Sequence, residues 1–228
     1  MASASKGNCY LCGANLGRAA MKSHLLEFHG NEGSGDDCCL LKVEGAYDKN
    51  YWLYVDIPLK KTLSALDSFL RRIWLECCGH LSEFYTTPGG KGLALSHPGQ
   101  VTVGKGRKLE SFSTGDNLIH LYDYGSTTES AITVIGRTRR KPQRNLVRLL
   151  ARNAPPNFVC ADCGKEAIYL CEVFVEPFDQ FFYCHNCGEK HADDDHFLHP
   201  VANSPRMGTC GYTGEYDDYD FYQMIGKK

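Results

Sequence analysis

The sequence lacks a long hydrophobic run. No apolar stretch approaches the ~20 residues that a membrane-spanning helix needs, and no apolar leader of the secretory kind follows Met1. These absences predict a soluble, cytoplasmic protein with no membrane partner, whose cysteines stay reduced. The length of 228 residues suits one ordinary domain with small modules attached.

A complete phosphate-binding loop is also lacking. Residues 99–106 carry glycines and Lys105 at the offsets of such a loop, but Gly106 stands where a hydroxyl would hold magnesium. No helical pattern follows to offer its N-terminus to a phosphate. The sequence therefore predicts a glycine-rich hairpin here and no nucleotide cofactor.

Net charge is low, at −2, but it is unevenly distributed. Residues 1–154 contain 20 Lys and Arg against 14 Asp and Glu, a balance of +6, whereas residues 155–228 contain 5 against 13, a balance of −8. Opposite charges favour different partners for the two parts. The acidic part could also fold back onto a basic surface, or simply keep the protein soluble.

Cysteine, in contrast, is abundant, with 12 residues. Cys9-x2-Cys12 followed by His24-x4-His29 has the spacing of a two-Cys, two-His zinc finger, with a helix-forming segment before the histidines. Two intervening residues let one tight turn aim both sulfurs at one ion. Four protein ligands leave no position for water or substrate, so we expect a structural site. A lone finger binds DNA weakly, which leaves protein contact or capping of the fold equally open.

A second closed zinc site is predicted near the C-terminus, in the form of a zinc ribbon. Its ligands are expected to be Cys160, Cys163, Cys184 and Cys187, in two C-x2-C pairs that are each followed by glycine. Residues 167–175 and 181–183 read as strands between the pairs. Two zinc ions are therefore expected. A third ion would draw its ligands from Cys171, His191, His196, His199 and Cys210.

Residues 38–152 predict an α+β domain, after a polar linker or exposed loop at 31–37. A strand at 51–57 stops at Pro58, and a helix then begins near Thr62 with leucines at helical spacing and ends by Gly79. Strands at 101–103, 118–124 and 131–135 follow, and the last two can form a hairpin. The expected architecture is a central antiparallel sheet with packed helices, flanked by zinc modules at 1–30 and 155–228.

Part of this region resembles the plasmid PRiA4b ORF-three-like family, also labelled insertion-element passenger proteins. The resemblance rests on the segments 52–58 and 62–75, on His80-Leu81-Ser82-Glu83-Phe84, and on Tyr122-Asp123-Tyr124-Gly125. It covers about residues 42–140 and implies an α+β fold but very little mechanism. Ser126 replaces an acidic residue of the family motif, and the motif's Trp and His do not follow. A catalytic role for that motif would therefore be incomplete in this chain.

An arginine-rich stretch carries the strongest prediction of a binding surface. Within residues 137–152 there are seven cations and no acid. A helix over residues 143–151 would place three of the arginines on one face, where a phosphate backbone or an acidic protein surface would relieve their repulsion. The chain's own acidic part is a further alternative partner. The predicted nucleic-acid-binding residues are Arg137, Arg139, Arg140, Lys141, Arg144, Arg148 and Arg152.

The segment Cys77-Cys78-Gly79-His80 has three interpretations: a buried thiol on the apolar stripe of the helix, extra metal ligands joined by Cys38 and Cys39, or a nucleophile beside a base. The first is favoured because Cys77 continues the stripe. His80 is expected to make a hydrogen bond beneath the sheet.

The function predicted from these features is a non-enzymatic, zinc-stabilised protein whose basic central face binds nucleic acid. The alternative is a protein-interaction adaptor that uses the acidic C-terminal module and an aromatic tail at 212–222. A metal-dependent hydrolase using residues 193–195, His196 and Cys210 is the third reading.

Overall fold

The computed structural model describes residues 5–86, 99–142, 147–173, 180–192 and 196–214. The strands of the main sheet are β1 (Lys6–Cys9), β2 (Asn15–Gly17), β3 (Asp36–Gly45), β4 (Trp52–Pro58), β5 (Ser82–Thr86), β6 (Val101–Val103), β7 (Asn117–Tyr122), β8 (Thr128–Arg140) and β9 (Arg148–Asn153). The helices are α1 (Arg18–His29), α2 (Leu63–Leu70), which a π-helical turn at Arg71–Leu75 continues, and α3 (His185–His191). The remaining strands are β10 (Tyr169–Val173), β11 (Gln180–Tyr183) and β12 (His196–Pro200).

Two antiparallel sheets organise these elements. The main sheet has the order β2-β1-β9-β4-β3-β8-β7-β5-β6, and the small C-terminal sheet has the order β11-β10-β12. The predicted α+β class is therefore confirmed at the level of a fold dominated by an antiparallel sheet. Among the described residues, no helix is long and apolar enough to cross a lipid bilayer.

Both faces of the main sheet are covered in its central part. Alternating side chains of β4 show this, because Leu53, Val55 and Ile57 belong to one buried cluster while Trp52 and Tyr54 belong to another on the opposite face. α2 packs on the first face and α1 on the second. The helix side chains that take part are Leu63, Leu66, Phe69 and Leu70 of α2 and Met21 and Leu25 of α1. Each such fully buried side chain contributes roughly 1.5–3 kcal/mol to stability.

Several expected elements are present. α2 begins directly after Thr62, its N-cap position, and with the π-helical turn it extends to Leu75. β4 ends at Pro58, and β7 and β8 form the expected hairpin, in which Tyr122 pairs with Thr128. These segments have strong hydrophobic periodicity or clear helix and strand breakers, which can be recognised from the local sequence alone.

Two expectations were wrong. Residues 148–151 of the predicted helix at 143–151 instead belong to β9, which lies between β1 and β4 with all its residues buried, while residues 143–146 lie outside the described residues. A short, continuous apolar run has no polar face, whether it forms a buried helix or a central strand. Periodicity therefore could not distinguish the two structures. The predicted linker at 31–37 ends earlier than expected, because Asp36 and Asp37 already pair with Arg140 and Arg139 of β8.

The predicted N-terminal finger, residues 1–30, is joined to the main sheet through β1, and we call it the N-terminal finger below. Gly7 pairs with Asn153 and Cys9 with Ala151. A Cβ atom on Gly7 would lie 2.0 Å from the carbonyl oxygen of Arg152, so only glycine permits this close approach. β1 and β2 therefore extend the same sheet that carries the central core.

Candidate metal centres and charged networks

The first candidate centre is formed by Cys9, Cys12, His24 and His29, whose ligand atoms all lie within 4.8 Å of one another. Cys9 is the last residue of β1, Cys12 lies in the turn that follows, and the histidines come from α1. The Sγ atom of Cys12 lies 3.2 Å from Nε2 of His24. Nε2 of His29 is buried and has no hydrogen-bond partner among the described residues, so a metal ion would supply its missing contact.

Local backbone geometry and electrostatics suit this centre. The amide of Gly13 donates a 2.7 Å hydrogen bond to the carbonyl of Cys9, which closes the turn between the sulfurs. Burial, and then the neighbouring His24, lowers the pKa of His29. The imidazole is therefore neutral near pH 7, which is the form that binds a metal.

The second candidate centre contains Cys160, Cys163, Cys184 and Cys187, again with ligand atoms within 4.8 Å. Sγ of Cys163 lies 3.6 Å from Sγ of Cys184. The turn motif of the first centre recurs twice, since the amides of Gly164 and Gly188 each donate a 2.9 Å bond to the carbonyls of Cys160 and Cys184.

The thiols of this centre do not ionise easily together. Burial raises the pKa of Cys160, but amide hydrogen bonds from Cys184, Cys163 and Asp162 outweigh it and lower the value to about 6. Burial and the neighbouring cysteines raise the pKa of Cys187 to about 12. One thiolate therefore disfavours the next, and a bound cation is what would stabilise all of them.

A third cluster brings together Cys77, Cys78, His80 and Cys210. The sequence interpretation missed it as a set. Cys77 was expected to be a buried thiol, and it does pack against the main core, but its sulfur faces the other three ligands. His80 was expected to bond beneath the sheet, whereas its Nε2 lies 2.9 Å from Sγ of Cys78 and 3.3 Å from Sγ of Cys210.

A Cys-Gly step is the sequence signal that could have identified this cluster. Gly13 and Gly164 follow ligand cysteines of the first two centres with φ of 79° and 70°. Gly79 follows Cys78 with φ of 81°, and Gly211 follows Cys210 with φ of 65°. Left-handed φ favours glycine, so the same local conformation recurs at all three clusters.

The expected ligands of a third ion are distributed differently from the prediction. Of the five candidates, Cys210 joins the third cluster, while Cys171 is buried in the core of the C-terminal module. Nε2 of His191 lies 2.9 Å from Asp162, and Nε2 of His199 lies 3.4 Å from Glu172. The side chain of His196 and residues 193–195 lie outside the described residues, so the hydrolase reading stays a prediction.

Three of the seven predicted nucleic-acid-binding residues are buried in internal contacts. Arg140 contacts one carboxylate oxygen of Asp56 at 2.6 Å, and Arg148 contacts the other at 2.6 Å. Arg148 also contacts Glu32 at 2.6 Å, and Arg152 donates a hydrogen bond to the carbonyl of Asn203.

The contacts of Arg148 favour its charged form. Burial lowers the pKa of Arg148, but the hydrogen bonds and charges of Asp56 and Glu32 outweigh it and raise the pKa above its usual value. Burial likewise raises the pKa of Glu32, but the hydrogen bond from Arg148 outweighs it and lowers the pKa. Arg148 thus has two carboxylate partners within the fold, Asp56 and Glu32.

The other predicted binding residues are more accessible. Arg139 is about half exposed, with a side-chain accessibility of 49%, and lies 2.8 Å from Asp37. Arg137 donates a hydrogen bond to the carbonyl of Phe112, and Lys141 is exposed. Arg144 lies outside the described residues. The seven cations do not form one helical face, and their role in binding nucleic acid stays a prediction.

Tertiary structure creates a different basic surface, here called the lysine loop surface and formed by Lys60, Lys61, Arg107 and Lys108, all exposed. Two backbone bonds of 2.9 Å join its loops, from the amide of Leu63 to Arg107 and from that of Leu109 to Lys61. Its acidic neighbour is Glu110, 3.4 Å from Lys108. The sequence separates these cations into two pairs, and neither pair by itself predicts a basic surface.

Lys105, from the phosphate-loop-like segment, points inward to a buried polar group. Its Nζ lies 2.9 Å from Asp67 and 2.7 Å from Oγ of Ser82, and that hydroxyl donates a 2.7 Å bond to Asp67. His120 bonds Asp67 at 2.8 Å. A serine hydrolase needs its serine bonded to histidine and open to substrate, whereas Ser82 is buried and bonds the carboxylate. The group instead joins α2, β5 and β7.

Comparisons with known proteins add little to this description. No protein-family model matches the chain, and no curated protein matches it. A solved structure, a protein of unknown function named MM3350 from Methanosarcina mazei Go1, is similar with a TM-score of 0.43 and 16% sequence identity over 58% of this chain and 76% of that chain. A likeness at this TM-score supports no argument about fold or function.

Proposed function

We propose that this protein is a non-enzymatic, zinc-stabilised interaction protein that binds a protein partner through its acidic C-terminal module. The observation that supports this proposal best is the composition of the two predicted centres. Each offers four Cys or His ligands around one point, and such a closed set leaves no position for water or substrate. Zinc would therefore hold the fold together and take no part in a reaction.

Zinc is the metal that fits both ligand sets. A set of two cysteines with two histidines, and a set of four cysteines, both suit its tetrahedral preference, and zinc contributes no redox chemistry. Cys9, Cys12, His24 and His29 would hold one ion, and the four cysteines of the C-terminal module would hold the other.

Exposed apolar side chains support the assignment of the C-terminal module to protein contact. Val159, Ile168, Phe181 and Phe197 have accessibilities of 62%, 46%, 39% and 54%. The module is too small to bury them, and its segment of the chain is acidic. Exposed apolar side chains in a segment of acidic composition suit a protein partner with a basic and apolar face, and they do not suit phosphates.

Affinity capture from the native cell, using the full-length protein at low salt, tests this proposal. We expect one defined protein partner, and we expect the variants Phe181→Ser and Phe197→Ser to lose it while keeping their zinc. Phe28→Ser is the matched control, because Phe28 is also exposed, at 66%, but lies on α1. Equal capture by all these proteins would refute the proposed surface.

A second candidate function is binding of a nucleic-acid backbone, and the lysine loop surface favours it. Four exposed cations on adjoining loops can contact phosphates, and each phosphate contact adds about 0.9 to the slope of log affinity against log salt. The buried Arg140 and Arg148 are already matched by carboxylates and are less suited to this role.

Fluorescence anisotropy with labelled DNA and RNA separates the two basic regions. If the lysine loop surface binds, Lys60→Glu with Lys61→Glu will abolish salt-dependent binding, while Arg139→Glu with Lys141→Glu will leave most of it. The opposite result would restore the arginine-rich stretch as the binding region. The two double variants carry the same change of net charge, and Lys190→Glu in the C-terminal module is a control for a charge change outside both basic regions.

A further inference from the structure

We propose that Cys77, Cys78, His80 and Cys210 bind a third zinc ion, which fastens residues 203–212 to the end of the main sheet. Three of the ligands follow α2 in the chain, and the fourth comes from the segment after β12. A metal at this position would thus join two distant parts of the chain. Each of the first two centres instead takes all its ligands from one short stretch of chain.

The sulfur–sulfur distances at Cys78 match those of a tetrahedral zinc site. Sγ of Cys78 lies 3.8 Å from Sγ of Cys77 and 3.7 Å from Sγ of Cys210. Ligand sulfurs about 2.3 Å from one zinc ion in a tetrahedron are about 3.8 Å apart. These separations are far longer than the ~2 Å of a disulfide bond. Zinc is favoured because three thiolates and one imidazole form a common structural ligand set.

Backbone conformation gives independent support. Cys210 itself has φ of 53°, a left-handed value that is uncommon for a residue other than glycine. Such strain persists where the surroundings demand it, and here it turns the sulfur of Cys210 toward Cys78. The glycines after Cys78 and Cys210 repeat the conformation found beside the ligands of the first two centres.

The segment around Cys210 is packed against the main sheet. Oγ of Ser204 donates a 2.6 Å hydrogen bond to the carbonyl of Trp74. Arg206 is fully buried, contacts Asp123 at 2.8 Å and lies over the ring of Tyr122. Tyr212 is also buried. The ligand cysteine therefore lies between two anchored positions.

The surrounding charges suit a zinc ion with three thiolates, which carries one net negative charge. A guanidinium nitrogen of Arg206 lies 3.3 Å from Sγ of Cys77. The same nitrogen contacts Asp123, whose carboxylate lies 3.4 Å from Nε2 of His80. Arg206 would thus donate a charged hydrogen bond to the thiolate of Cys77 from within the fold, with Asp123 as its own counter-charge.

Native mass spectrometry of the full-length protein tests the stoichiometry. We expect three zinc ions per chain, and two in Cys78→Ser and in Cys210→Ser. Cys38→Ala, which removes a buried cysteine outside every cluster, should keep three. Two ions in the unmodified protein, or three in Cys210→Ser, would overturn the proposal. Loss of an ion in Cys163→Ser instead reports on the C-terminal centre, so the two proposals can fail separately.

Brief trypsin digestion tests the fastening. Arg206 is buried, so the bond after it should resist cleavage in the unmodified protein and in Cys38→Ala. Cys210→Ser should release a fragment that begins at Met207. Protection of this bond in Cys210→Ser would contradict a fastening role for the metal.

Two measurements on the unmodified protein keep the proposal falsifiable if the variants do not fold. Cadmium-113 resonances of the cadmium-loaded protein should number three, one of them from a site with three sulfurs. Thiol titration after denaturation with chelator should find all 12 cysteines free. Ten free thiols would indicate a disulfide in place of the metal site.

Discussion

The main sheet and the C-terminal module are stabilised by different means. The main sheet has two clusters of buried hydrocarbon side chains, one on each face, including Trp52, Trp74 and Phe69. The buried cluster of the C-terminal module consists of Cys160, Cys171, Tyr183 and Cys187, with Cys184 and Leu198 packed against it. This cluster is thus made largely of candidate metal ligands. A module this small rarely folds on hydrophobic burial alone.

The N-terminal finger is intermediate between these two. It contains a candidate metal centre, but β1 is hydrogen-bonded to β9, and Met21 and Leu25 of α1 pack against the main sheet. Metal removal should therefore affect it less than the C-terminal module. We therefore expect a metal centre to contribute most to stability where the apolar core is smallest.

Removal of metal should have the largest effect. Structural zinc binding contributes on the order of 10 kcal/mol to folding in small modules. With a strong chelator we expect amide hydrogen exchange, followed by mass spectrometry, to show loss of protection across residues 160–192. The central strands β3, β4 and β8 should stay protected because no proposed ligand lies on them and buried hydrocarbon side chains cover both of their faces.

Retained protection in the C-terminal module after complete metal removal would contradict the comparison. A chelator inactivated by excess zinc is the control. The N-terminal finger should show an intermediate loss, since β1 keeps its pairing with β9.

Breaking the buried ion pairs of the main sheet should have the second largest effect on stability. Asp56→Asn would leave Arg140 and Arg148 buried beside a neutral side chain, and uncompensated buried charge of this kind costs about 3–5 kcal/mol. Urea unfolding followed by circular dichroism measures this change in the free energy of unfolding.

Asp37→Asn is the matched control, because Asp37 pairs with the half-exposed Arg139 on the same sheet. Exposed pairs are screened by solvent, so no measurable change is expected. Equal effects of the two substitutions would show that burial does not distinguish these pairs.

Acid should weaken the contact between α2 and the sheet. Burial raises the pKa of Asp67, but hydrogen bonds from His120, Ser82 and Lys105 outweigh it and hold the pKa well below its usual range. Burial lowers the pKa of His120 below its usual 6.5. Both groups are deprotonated more readily when folded, so their stabilisation is present at high pH. It declines first as pH falls below about 6.5 and then below about 4.

Asp67→Asn should therefore destabilise the protein by roughly 1–3 kcal/mol at pH 7, and the difference from the unmodified protein should shrink as pH falls below about 4. Unfolding curves at several pH values measure that difference, in which acid release of metal affects both proteins alike. Glu110→Gln, at an exposed position, is the control. A difference that is independent of pH would contradict the role of the charged carboxylate.

Local patterns were sufficient for α2, β4 and the β7–β8 hairpin, because periodicity, a cap and a breaker all lie within each segment. They were insufficient for β9, whose burial depends on β1 and β4 on either side. Arg140 and Arg148 illustrate the same limit. Their spacing was visible in the sequence, but the carboxylate that meets them comes from β4.

Spacing in the amino-acid sequence was enough to identify the two candidate ligand sets that lie within single modules, because each C-x2-C pair shares one tight turn and the other two ligands follow within a short stretch of chain. Only the tertiary structure decided the third cluster, where His80 and Cys210 are 130 residues apart. It also determined the ion pairing of Arg140, whose partner Asp56 is 84 residues away. Contacts across such distances depend on how the sheet orders its strands, and no local spacing encodes that order.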